Sequence, residues 1–331
     1  MLQRTKARDM ATYPAATQWN PMRHHLSFSI SLISALVLLM ISTRFVTDIF
    51  VVTIFQNLHL HLAVIAVLAV SVALLIRFNI FGLIVLCAAI GMSGYGYMLS
   101  QRYAVDLSQA PGQTFRLLSF NVLGTNFEHA KDIVDEIIAS KADVVNIMEA
   151  RALTSDFPRL FAVYPYRIGC GEQTKSCDLM MLSRFPMKNG TIQSLSSFAY
   201  HRFITARVQL PGGDVNVAAI HMTKPYFDNY HEEELQGAVR MFSRLSGPLV
   251  LSGDFNASSI SPDMLGFLQQ TGMNVAKHQP GTWPIIAGSW GVPIDHIYIR
   301  APLVFRHIQR IADNHGSNHY GLVADLGLPA P

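Results

Sequence analysis

The sequence predicts an α+β domain carried behind three membrane-spanning helices. Of its 331 residues 50% are hydrophobic and only 14% charged, and the apolar excess sits in the first hundred. From Phe115 onward, helical stripes mix with many short apolar strands, some adjacent like hairpins, without a strict βαβ alternation. Those strands repeatedly end on a polar side chain. No internal repeat or low-complexity tract interrupts the pattern. The net charge of +3 is small and its basic residues are scattered. A dedicated nucleic-acid surface therefore gains no support from composition.

Four stretches follow in order: a basic tail (1–25), an anchor of three spans (26–99), a linker (100–114) and a globular domain (115–331). The tail sets Arg4, Lys6, Arg8 and Arg23 against Asp9. Uncharged apolar runs at 26–43, 62–76 and 80–99 are of bilayer-spanning kind, with buried core helices as the alternative. Between the first two, 45–55 is apolar but broken by Asp48, which suggests an interfacial segment. A basic tail stays in the cytoplasm, so three crossings place the globular domain on the outer face of the cell membrane. Arg77, between the second and third spans, then also faces the cytoplasm. Cys87 lies within the third span. Cys170 and Cys177 flank a short hairpin-like stretch, where a disulfide would suit an oxidising periplasm; two free thiols are the alternative.

In the globular part, 115–121 reads as a strand ending on Asn121, and 143–149 as a strand ending on Glu149. Between them, Ile133, Val134, Ile137 and Ile138 mark a helix over 129–141. Further strands are expected at 178–183, 203–210 and 214–222, the last carrying His221, and a helix at 228–245. The apolar triplet Leu249-Val250-Leu251 then runs into Ser252-Gly253-Asp254-Phe255-Asn256. Strands at 295–299, 303–311 and 322–326 close the chain.

The chemistry concentrates at these strand ends. Asp254 and Asn256 are two apart, and such residues project to one side of an extended chain. A carboxylate and a carboxamide there suit a hard cation such as Mg²⁺, or a phosphate and its water. A turn is the other reading, since Gly, Asp and Asn favour turns. Asn121, Glu149, His221, Asp254, Asn256, Asp295 and His319 together form a set able to hold one ion, bind a phosphate and supply acid and base. Lys224 could meet a phosphate or be merely solvated; Trp283 could line a pocket or pack.

Ser119-Phe120-Asn121, the strand ending on Glu149, Ser183-Arg184-Phe185-Pro186, His221, Gly253-Asp254-Phe255-Asn256, Ile294-Asp295-His296 and Ser317-Asn318-His319 occur in that order. This series resembles the endonuclease/exonuclease/phosphatase (DNase I-like) superfamily of nucleases, inositol phosphatases and neutral sphingomyelinases. Membrane-anchored bacterial members of teicoplanin-resistance type are similar in layout, including Thr282-Trp283-Pro284. The resemblance implies a four-layer α/β/β/α sandwich and a metal-dependent phosphoric ester hydrolase using Mg²⁺, or Mn²⁺ in its place. It implies that Glu149, with Asn121 and Asn318, holds the metal. Asp254 would orient or deprotonate the attacking water, and Asn256 would hold a phosphate oxygen. His319 would contact the phosphate while Asp295 fixes its tautomer, and His221 would bind phosphate or protonate the leaving group. Asn318 departs from the family's Ser-Asp-His, losing a charge but keeping an oxygen.

The anchor directs the substrate expectation toward a lipid-linked phosphate or phosphodiester such as undecaprenyl pyrophosphate, handled beside membrane lipids. A nuclease acting on DNA or RNA is the alternative within the same chemistry, and a non-catalytic binding module the alternative outside it.

Overall fold

The computed structural model describes residues 19–47 and 49–329. Arg4, Lys6, Arg8 and Asp9 of the basic tail, and Asp48, lie outside the described residues. Two compact units separate: one of 19–42 with Leu60–Tyr95, the other of Thr43–His59 with 96–329.

The first unit is built from α1 (Trp19–Ser42), α3 (His59–Ile76) and most of α4 (Ile80–Gln101). Their 24, 18 and 22 residues rise to roughly 27–36 Å, enough to cross a hydrocarbon layer. Small residues let the helices meet closely: Ala63, Ala66 and Ala89 are buried against Leu38, Ile41, Val70 and Val85. Leu36, Leu39, Leu68, Val72 and Leu75 point outward, as lipid-facing side chains do. The Ser27 hydroxyl donates to the Arg77 carbonyl at 2.8 Å and accepts from Asn79 Nδ2 at 3.0 Å. That pair of bonds holds the α3–α4 turn. Cys87 is a free, exposed thiol on α4.

The second unit is the four-layer sandwich. One sheet has the order β1-β10-β11-β9-β8-β7-β6, formed by Ala104–Val105, Met273–Ala276, Asp295–Arg300, Leu249–Asp254, Gly213–His221, Phe203–Leu210 and Met187–Gln193. The other has the order β12-β13-β2-β3-β5-β4, formed by Val304–Arg310, Leu322–Pro329, Gly112–Asn121, Val144–Met148, Leu179–Ser183 and Tyr166–Ile168. Alternate residues of both sheets, among them Leu117, Val144, Met181, Val217, Val250, Ile297 and Phe305, fill the space between them. The outer face of the second sheet is covered by α5 (Ala130–Ala139) and α6 (Phe157–Val163). That of the first is covered by α7 (Tyr230–Phe242) and α8 (Pro262–Thr271). A polar tie within the core links the sheets: Asn146 Nδ2 donates to Ser252 Oγ at 2.8 Å.

Three features depart from the sequence reading. The linker expected over 100–114 is partly structured, because β1 pairs in parallel with β10, and β2 already starts at Gly112. Only Arg102 and Tyr103 separate α4 from β1. The segment 43–59, expected within the anchor, groups with the sandwich. It contains α2 (Phe50–Asn57), whose Asn57 side chain accepts the Ser258 N–H of the sandwich. Finally α6, α8, β4, β6 and β10 are additional elements; β6 is an edge strand without a buried residue and with no apolar alternation to announce it. Cys170 and Cys177 are joined by a disulfide that closes the hairpin before β5.

Candidate active site

Strand direction puts the functional residues together. β2 runs parallel to β3, and β8 runs parallel to β9, so four strands deliver their carboxyl ends to one end of the sandwich. β5 and β11 are antiparallel to their neighbours and begin where those strands finish. Register then levels the residues: His221 and Asp295 both lie opposite Asp254, while Asn121 lies opposite Met148, one residue before Glu149.

Asp254 is the hub. Its Oδ2 accepts from Asn121 Nδ2 at 3.0 Å, across the two sheets, and lies 3.8 Å from both His221 Nε2 and His319 Nε2. Its Oδ1 accepts the Asn256 N–H at 2.8 Å. The strand reaches this point through Gly253, where a Cβ would stand 1.8 Å from the Ile220 carbonyl oxygen. No larger residue fits between β8 and β9 there.

Glu149 follows β3 in the left-handed region (φ 57°, ψ 35°), an arrangement costing a non-glycine residue about 1–2 kcal/mol. Its Oε2 accepts the Gly124 N–H at 2.6 Å, and its Oε1 accepts from Asn121 Nδ2 at 3.3 Å. Asn121 therefore turns its NH₂ toward two carboxylates, and its Oδ1 accepts the Leu123 N–H at 3.1 Å. Two acidic groups converging on one amide make a hard-oxygen donor set that fits a divalent cation. Asp254, Asp295 and His319 also place ligand atoms within 4.8 Å of one another. There the Nδ1 of His319 is committed to Asp295 Oδ2 at 2.8 Å, leaving its Nε2 to face Asp254.

Each histidine is backed by a carboxylate. Burial opposes the charged form of His319, but Asp295, Asp254 and Glu149 outweigh it and raise its pKa to about 9. Burial likewise disfavours a charged His221, and Asp178 outweighs it through a 2.9 Å bond to Nδ1, again raising the pKa. Asp178 is itself paired with Arg202 and sits below the usual carboxylate range, its burial overcome by His221 and Arg202. Both imidazoles turn Nε2 toward Asp254, and the neighbouring carboxylates favour the charged form of each ring.

Supporting bonds fix the loops. Ser317 Oγ donates to the Asn121 carbonyl at 2.7 Å and accepts the His319 N–H at 3.1 Å, tying the last loop to the end of β2. Thr282 Oγ1 accepts the N–H groups of Ile294 and Asp295, each at 3.2 Å.

The structure brings Asn121, Glu149, His221, Asp254, Asp295 and His319 into one cluster. Asn256 is placed differently from its expected position beside Asp254. The strand has ended, its φ is +51°, and its Nδ2 donates to the Met222 carbonyl at 3.0 Å. Asn256 lines the pocket next to the cluster, with Lys224, Trp283 and His319. Asn318 is exposed on the same pocket wall. Two residues were not picked out from the sequence. Asp178 holds His221 from just before β5, whose antiparallel pairing with β3 brings it to the site. Tyr226 lines the pocket, and burial with the nearby Asp254 charge raises its pKa; a lone tyrosine after Lys224-Pro225 carried no signal in the sequence.

The model of the Endonuclease/Exonuclease/phosphatase family matches residues 118–319, well over half of the chain. The chain belongs to that family. Membership makes it a metal-dependent phosphoric ester hydrolase. No curated protein matches it at a significant level. Among solved structures, it is similar to an endonuclease/exonuclease/phosphatase from Beutenbergia cavernae (18% identity, 66% of this chain and 72% of that one, TM-score 0.53). It is also similar to D. rerio TDP2 complexed with a single strand DNA product (15% identity, 65% and 100%, TM-score 0.53). A third is beta toxin from Staphylococcus aureus (16% identity, 63% and 99%, TM-score 0.51). At these identities the likeness is one of fold.

Proposed function

We propose that this family member is a membrane-anchored hydrolase of a lipid-linked phosphate or phosphodiester, such as undecaprenyl pyrophosphate, working at the outer face of the cytoplasmic membrane. The observation that carries the reading is covalent. Three helices long and apolar enough to cross a membrane precede the hydrolase, and only Arg102 and Tyr103 lie between the last helix and the first strand.

The residues divide the work. Asp254 takes the proton of the attacking water, which forms the new P–O bond. Cationic His319, steadied by Asp295, lies against the phosphoryl oxygens where negative charge builds. His221, held by Asp178, gives its Nε2 proton to the departing oxygen as the old P–O bond breaks. Asn256 and Lys224 bind the phosphate from the pocket side. Glu149, with Asn121 beside it and Asn318 contributing from the pocket wall, would hold a Mg²⁺ or Mn²⁺ ion, which when bound supplies positive charge to the phosphoryl group.

The test is full-length protein in detergent with Mg²⁺, given undecaprenyl pyrophosphate and linear DNA in parallel. Phosphate release that disappears in Asp254→Ala and His319→Ala supports the reading. DNA cleavage that disappears in the same variants, and weakens steeply with salt, assigns a nuclease instead. A folded protein silent on both leaves neither.

A further inference from the structure

The helix α2 is amphipathic in the inverted sense. Thr53, Gln56 and Asn57 are buried, and His59 just after them is fully buried. Ile49, Val51 and Ile54 are exposed, as are Phe45 and Val46 before them. A water-facing helix buries the opposite set. The buried polar face is bonded to the sandwich at the loop that follows Asn256. Asn57 Oδ1 accepts the Ser258 N–H at 2.6 Å, and Arg44 Nη2 donates to the Ile260 carbonyl at 2.8 Å. A further 3.0 Å bond joins Arg44 Nη1 and His59 Nδ1. The helix is therefore fixed against the catalytic loop while its apolar side stays open.

Its carboxyl-terminal end also enters the catalytic pocket. Ile54, Asn57 and Leu58 line that pocket together with Trp283, Val292 and Ile294. At the polar end of the same pocket stand His319, Asn256 and Lys224. One cleft thus offers cationic and amide groups for a phosphate, beside a wall of aliphatic and indole carbon. The family match begins only at residue 118, so the Ile54 and Leu58 part of this wall comes from chain outside the family domain, facing Trp283, Val292 and Ile294 from within it.

We propose that α2 is a specificity element: Ile54 and Leu58 receive the first apolar units of a substrate whose phosphate lies at His319 and Asn256. The ligand class is a phosphate carried on a long hydrocarbon chain. This rests on the lipid-phosphate reading above and adds the residues that select the chain. The polar face of α2 positions the wall through Asn57 and Ser258. The exposed Val51 lies on the same helix but outside the pocket lining.

The test compares kcat/KM for undecaprenyl pyrophosphate with that for the short, water-soluble dimethylallyl pyrophosphate, on full-length protein in detergent with Mg²⁺. Both probes carry the same head group. Wild type should prefer the long chain, and Ile54→Ser and Leu58→Ser should each cut that preference about tenfold, chiefly through KM. Val51→Ser should keep the wild-type ratio. Turnover of the short probe reports folding of every variant. Retained preference in both pocket variants, or an equal loss in Val51→Ser, overturns the assignment. A wild type that cleaves both probes equally overturns it too, while leaving the phosphohydrolase standing. A wild type that cleaves neither defeats the lipid-phosphate reading and the inference with it.

Discussion

The two faces of β11 carry adjacent residues with opposite electrostatic fates. On the inward face, Asp295 holds His319 as a cation, its pKa raised to about 9. On the outward face, His296 is packed among Phe255 and Tyr298, and burial lowers its pKa to about 4. Both imidazoles are buried. What differs is the partner: His319 has a carboxylate, whereas His296 bonds to the Ala257 carbonyl and to Gln279. Burial alone makes a neutral, structural histidine, and a carboxylate behind the ring makes a charged one.

The largest effect should come from removing the group that the His221 and His319 imidazoles both face. Asp254→Ala should lower phosphoester hydrolysis by about 10³-fold, in the range of a lost general base, with melting temperature checking the fold. Next, Asp295→Asn removes the carboxylate that distinguishes the inward face. Activity should fall about 10–100-fold, as when a partner orienting a functional histidine is lost. Equal activity in that variant would break the contrast drawn between the two faces.

The outward face should show itself in stability. His296 takes up its proton at a lower pH folded than unfolded, so stability falls as pH drops from about 6.5 toward 4. The loss approaches about 3 kcal/mol at the low end. Denaturant melts of His296→Gln should be flatter over that window, with hydrolysis at neutral pH kept within a few-fold. The smallest effect belongs to Tyr298→Phe. Its hydroxyl makes one long bond, 3.4 Å to Ser259 Oγ, and its removal should cost about 1 kcal/mol or less with no change in activity.

Much of this site was legible in the sequence because apolar strands broke on polar residues. Asn121, Glu149, His221, Asp254 and Asp295 each stand at the edge of a buried run, and the structure places them at one end of two sheets. The alternation that turns Asp295 inward and His296 outward is the same period-two rule. Elements whose pattern is set by tertiary surroundings were less visible. β10 is short, and β6 has no buried residue along its length. Asp178 needed the knowledge that β5 runs against β3, which no local window contains. The attachment of α2 to Ser258 spans 201 positions in sequence, and an apolar segment beside membrane spans reads as part of the anchor.

The grouping of Thr43–His59 with the sandwich bears on how the enzyme is handled. A soluble fragment beginning at Arg102 would retain every strand, including β1 on the exposed edge of β10. It would also retain Glu149, Asp254 and His319. It would lack Ile54, Asn57 and Leu58, and so one side of its own pocket. Kinetics measured on such a fragment would describe an unwalled hydrolase with broadened tolerance for water-soluble phosphoesters, and a compound screened against it would meet a cleft that the intact chain does not possess.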